Sequence, residues 1–140
     1  MRARVRKFAH ILERLGLAMA GAASGLFVAV HVGSSVSALT SQAFLLLMMI
    51  GGAVGFYLGI DTPQLTFHPV SADVAKRKID AAELLSAIGT FLASLAAFFS
   101  VGVIVLRSEP HIGWTFAIMT GWVFGVTMQI VAGTIARMRA

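Results

Sequence analysis

Two polar side chains able to do chemistry, His31 and Gln129, fall deep inside long apolar stretches of this chain. A lone embedded imidazole can bond across to a neighbouring helix, or it can serve as one ligand of a metal, haem or quinone site. Ligation needs a partner. Bis-histidine haem binding calls for two intramembrane histidines, and His31 is alone in its apolar surroundings. His111 lies toward the same end of the chain's apolar segments, so His31 and His111 are the residues for any two-histidine site. His10 and His68 belong to the opposite end. The amide of Gln129, beside a glycine-bearing face, suits an interhelical hydrogen bond.

The rest of the usual chemistry is missing. There is no cysteine, which excludes disulfides, haem thioether attachment and thiolate metal sites. All six acids (Glu13, Asp61, Asp73, Asp80, Glu83 and Glu109) lie at or outside the ends of the apolar stretches. No Ser/His/Asp set, Walker loop, dinucleotide fingerprint or HExxH is present. The run Gly51-Gly52-Ala53-Val54-Gly55 lies mid-segment, where a phosphate-cradling loop is implausible. Intramembrane enzymes acting on lipids generally need clustered acids, histidines or asparagines, and the chain contains no asparagine. A non-catalytic protein without a cofactor is therefore expected.

The elements that position these residues are four apolar runs, at 15–39, 43–60, 84–106 and 112–136. About 18 or more apolar residues cross a ~30 Å hydrocarbon core as a helix. The expected fold class is an all-α integral membrane protein: four transmembrane helices arranged as two hairpins in one membrane domain covering 1–140. With 58% hydrophobic and 12% charged residues, no soluble domain is left over. Residues 1–14 alternate cations with Val5, Phe8, Ile11 and Leu12, the pattern of a short amphipathic interfacial helix. The first span ends near Val32 or continues to Leu39. Val36-Ser37-Ala38 resembles a signal-peptidase site, but the long run from Leu15 favours retention of the segment. Aligning the halves on Arg6-Lys7 and Arg77-Lys78 matches little beyond Ala22/Ala93 and Phe27/Phe98, too little to establish duplication.

Charge fixes the orientation. Ten of the eleven cations flank the spans on one side, and only Arg107 falls on the other. By the positive-inside rule both termini and the 61–82 loop are cytoplasmic. The net charge of +5 then points to the anionic lipid of the cytoplasmic leaflet rather than to nucleic acid. A bacterial inner membrane is the expected location.

Inside lipid, helices associate by close packing, which small residues permit. Small residues recur at four-residue spacing on every span: Gly21/Gly25, Gly51/Gly55/Gly59, Gly89/Ala93/Ala97 and Ala117/Gly121/Gly125. Thr120, Thr127 and Thr134 recur every seven residues, and hydroxyls on such faces either satisfy their own helix or line a wet path. In size and span count the chain resembles small multidrug transporters, flippase-like proteins and accessory subunits of membrane complexes. The first group implies a glutamate within the first span, whereas Glu13 lies at the edge. The expected function is a non-catalytic membrane subunit that self-associates or joins other membrane subunits. A small channel or transporter is the alternative, and a holin-like permeabilising protein fits the size alone.

Overall fold

Local capping chemistry sets where each helix stops. In the computed structural model, which describes residues 2–59 and 81–139 with side chains from Phe8 onward, α1 covers Arg2–Ser35 without a break. The basic segment expected as a separate interfacial helix is instead the first turns of α1, since no proline or polar turn separates it from the apolar run. The helix ends at Ser35, not Leu39, where the Ser34 and Ser35 hydroxyls donate to the His31 carbonyl at 2.7 and 3.3 Å. Val36 is extended, and Ser37–Leu39 form a single 3₁₀ turn. The Ser41 hydroxyl then accepts the Phe44 N–H at 3.2 Å, capping α2, Gln42–Gly59.

Helix α3 spans Ala81–Val105 and α4 spans Ile112–Arg139. The expected 61–82 loop lies mostly outside the described residues, but its last two residues already belong to α3. At the far end of α3 the Ser108 N–H donates to the Val103 carbonyl at 3.2 Å, and the Arg107 N–H to the Ile104 carbonyl at 3.3 Å. This is the paired hydrogen bonding of a Schellman C-cap, with Arg107 in the left-handed position at φ 50°. Helix α4 opens on His111, whose Nδ1 accepts the Gly113 N–H at 3.1 Å. All four helices among the described residues are long and apolar enough to cross a membrane, which marks the protein as membrane-integral. No strand occurs among the described residues.

Helix α1 packs most extensively on α2, and α3 on α4. Helices α2 and α4 share a smaller face, as do α1 and α3, and α1 also meets α4 across the interior. The buried positions alternate in steps of three and four. On α3 they are Ala82, Ser86, Gly89, Ala93, Ala96 and Ser100; on α2 they are Met48, Gly52 and Gly55. That alternation stays close to the helix's own period of about 3.6 residues and keeps one seam facing the partner, whereas repeated steps of four rotate away by about 40° each.

Glycine sets the closest approaches. Gly21 and Gly52 meet backbone to backbone, so a Cβ on either would overlap the other's carbonyl oxygen. Gly25 abuts the Met48 carbonyl in the same way. A Cβ on Gly89 would lie 2.6 Å from the Gly125 carbonyl oxygen, and one on Gly133 2.6 Å from that of Leu58. Ala93 is fully buried, Ala97 half-buried, and Gly51 and Gly59 have room for a Cβ at ordinary contact distance. Ala117 is exposed, and a Cβ on Gly121 would meet nothing within 4 Å. The small-residue run on α4 thus lies outside the internal seam before Gly125, because its four-residue steps outrun the helical period.

Gly52→Ala should destabilise the bundle by about 2–3 kcal/mol, since backbone cannot yield to the added methyl. Gly121→Ala should be neutral or gain roughly 0.5–1 kcal/mol from helix propensity. Reversible unfolding in mixed micelles measures both, and equal losses at the two positions would contradict this packing.

Candidate functional site

Along α4, Thr115, Trp122 and Gln129 follow one another at seven-residue intervals, and all three are buried. Seven residues make two turns, about 10.5 Å of rise, so one stripe of α4 carries three polar rungs over about 21 Å. Two of the rungs bond to another helix.

The middle rung is the best satisfied. The Trp122 indole Nε1–H donates to the Ser24 hydroxyl of α1 at 3.1 Å, and that hydroxyl donates onward to the Gly21 carbonyl at 2.8 Å. The ring occupies a notch of glycines: its edge comes within 3.0 Å of a Cβ placed on Gly25 and 3.1 Å of one on Gly52. Only 3% of Trp122 remains exposed. The next rung joins α4 to α3. Gln129 Nε2 donates to the Thr90 hydroxyl at 2.9 Å, which donates to the Ser86 carbonyl at 2.7 Å. The amide oxygen Oε1 has no protein partner among the described residues.

The third rung lies seven residues the other way. The Trp122–Ser24 bond sets the antiparallel register of α1 and α4. Seven residues beyond Ser24 is His31 and seven before Trp122 is Thr115, so these two occupy one level. Both are fully buried, and neither imidazole nitrogen nor the Thr115 hydroxyl has a hydrogen-bond partner among the described residues. His31 therefore sits in the interior, as does Gln129. His111 is exposed at the start of α4, and its Nδ1 is engaged as a helix cap. No group of three or more His, Cys, Asp or Glu side chains able to hold a metal occurs among the described residues. Val28 and Val126, both buried, fall between the rungs in sequence, Val28 between Ser24 and His31 and Val126 between Trp122 and Gln129.

Three further hydroxyls turn back on their own helices. Thr127 donates to the Val123 carbonyl at 2.7 Å and Thr134 to that of Ile130 at 2.8 Å, and both side chains are exposed. Ser100, fully buried, donates to the Ala96 carbonyl at 2.9 Å. At the opposite end of the bundle Arg14 and Arg137 both lie over the Tyr57 ring, 5.4 and 5.9 Å from its centroid. The basic ends of α1 and α4 are thereby gathered at the close of α2.

No family model, curated protein or solved structure matches the chain. The site must be read from its own residues. Trp122, Gly52 and Gly133 are the positions that spacing alone does not pick out. A tryptophan about 15 Å along a membrane helix from its start is nevertheless a signal. It lies too deep for the interfacial belt, so its N–H must find a partner inside the protein.

A double-mutant cycle tests the central rung. Ser24→Ala and Trp122→Phe should each destabilise, with a coupling energy of about 0.6–1.7 kcal/mol, the range of hydrogen bonds between membrane helices. Strictly additive losses would mean that the bond contributes nothing to the fold.

Proposed function

We propose that the protein is a non-catalytic integral membrane subunit whose outward small-residue face joins it to a second copy or to other membrane subunits. Both termini lie at the cytoplasmic side of a bacterial inner membrane, beside anionic lipid, with the two short turns outside. The observation that carries this reading is the fate of the polar groups. The Ser24, Thr90 and Ser100 hydroxyls are spent on carbonyls of their own helices, Ser24 and Thr90 each accept one cross-helix bond, and valines separate the rungs, so the seam acts as packing. On α4 the small residues Ala117 and Gly121 face away from the internal seam, leaving room for a neighbouring backbone.

A channel or transporter is the second reading. What favours it is the unmet hydrogen-bonding capacity of His31, Thr115 and the Gln129 amide oxygen. A conduction path would have to link those atoms past Val28 and Val126.

Gly121→Leu separates the readings, because it alters the outward face without touching the internal contacts. The subunit reading expects a smaller assembly by native mass spectrometry with an unchanged melting temperature. An unchanged assembly would remove Gly121 from any interface. His31→Leu should leave assembly intact and hold or raise stability, since an apolar side chain replaces a buried imidazole. Loss of a measurable ion or solute flux in His31→Leu vesicles would instead establish the channel reading.

A further inference from the structure

A cavity of about 550 Å³ opens between the ends of α1 and α3 and the turn before α4. That volume falls within the ~300–1,000 Å³ of small-molecule sites. Its polar rim brings together Arg107, Glu109, Ser34 and Ser35. Its floor is apolar, and three of its residues, Val30, Ile104 and Ile112, are 47%, 39% and 49% exposed on the bundle's outer surface. Neither Arg107 nor Glu109 forms an ion pair among the described residues, so one positive and one negative group face the same space.

Arg107 is also costly where it stands. It occupies the left-handed position of a Schellman cap, at φ 50°, and is the sole non-glycine residue with positive φ among those described. Glycine is the usual occupant there because a Cβ is disfavoured. The fold therefore carries an arginine at a position where glycine would be the better cap. Among the described residues it is also the one cation at this end of the bundle. An outlier of this kind, placed in a cavity with an opposite charge and free hydroxyl lone pairs, has the character of a ligand site.

We infer that this cavity binds a zwitterionic headgroup carrying a phosphate and a primary amine. The guanidinium of Arg107 pairs with the phosphate and the carboxylate of Glu109 accepts from the ammonium. The serine oxygens lie beside both. The exposed apolar floor continues into the surface that faces hydrocarbon, so attached acyl chains would lie along Val30 and Ile104. An aminophospholipid of the outer leaflet satisfies all three features. The same headgroup chemistry in a soluble glycerophosphodiester satisfies the first two. The assignment rests on the transmembrane orientation proposed above.

Full-length protein in nanodiscs of defined composition tests it. Retained lipid is counted by native mass spectrometry after exchange into equal mixtures of phosphatidylethanolamine, phosphatidylcholine and phosphatidylglycerol. Phosphatidylethanolamine should be retained about tenfold over the other two, the loss expected for one missing charge-assisted hydrogen bond. Glu109→Gln should erase the preference over phosphatidylglycerol. Arg107→Gly should lower retention of all three lipids while holding or raising the melting temperature, since it restores the favoured cap. Displacement by millimolar glycerophosphoethanolamine would support the headgroup site and assign a soluble source, whereas no displacement assigns the lipid. Equal retention of the three lipids by wild type, or unchanged retention by Arg107→Gly, overturns the inference. Labelling of Ser108→Cys from outside intact cells reports the orientation separately. Protection there would refute the topology, whatever the lipid counts.

Discussion

The bundle is organised around one indole ring in a notch that only glycine can make. Trp122 needs the space left by Gly25 and Gly52, and its N–H needs the Ser24 hydroxyl. Gly52 also needs Gly21, because those two backbones touch. Helices α1, α2 and α4 are thus held at one level by a single mutual arrangement. In water such a cluster would be credited to the hydrophobic effect. In lipid that force is absent between helices, and what remains is dispersion at close contact plus a directed bond. Both depend on the backbones approaching closely, so the glycines hold the structure together more than the bulky residues do. Phe91, Phe98 and Phe124 are all more than half exposed.

Much of this can be read in the sequence, but at different levels of detail. Four apolar runs of sufficient length determine four helices, because an unpaired backbone cannot survive in hydrocarbon. His31 and Gln129 are recognisable as interior groups because a polar side chain facing lipid is too costly. Small-residue spacing identifies the kind of packing surface, and Gly21, Gly25, Gly55, Gly89 and Gly125 all lie at close helix contacts. The choice among neighbouring glycines is harder. Gly51 and Gly52 are adjacent on α2, yet one has room for a methyl and the other has none. The difference is a 100° rotation, fixed by the partner helix and not by the helix's own sequence. Ala117 and Gly121 fall out of the seam for the related reason that four-residue steps drift relative to the helical period. Helix ends are hardest to place, because Ser34 and Ser35 end α1 through bonds to the His31 carbonyl that spacing does not reveal.

The polar groups follow a consistent economy across the molecule. A serine or threonine in a membrane helix can return its proton to a carbonyl of its own preceding turn, and here most do so. Such a hydroxyl is nearly invisible to its surroundings, yet its oxygen can still accept. Ser24 and Thr90 use that second capacity, receiving Trp122 and Gln129 while remaining tied to their own helices. Two helices are thereby joined without exposing any new polar hydrogen to lipid. The arrangement explains how four helices carrying many hydroxyls can form an interior with only isolated cross-links.

His31 and Thr115 break this economy at one end of the seam, where neither finds a protein partner among the described residues. Their level adjoins Ser34 and Ser35, which share the rim of the outer cavity with Arg107 and Glu109. One helical turn thus separates a buried imidazole from the rim where opposite charges face the same space. The opposite end is built differently, with Arg14 and Arg137 gathered over Tyr57 and tied into the bundle. Glycine contacts dominate the middle of the bundle and make it tight. Two of the three residues with unpaired buried polar atoms, the strained cap and the open volume lie at the Arg107 end. Packing and binding can coexist in so small a bundle because they occupy different levels of it. The rung of Trp122 and Ser24 fixes the helices, and the two turns beyond it can then tolerate groups whose hydrogen bonds the fold itself does not supply.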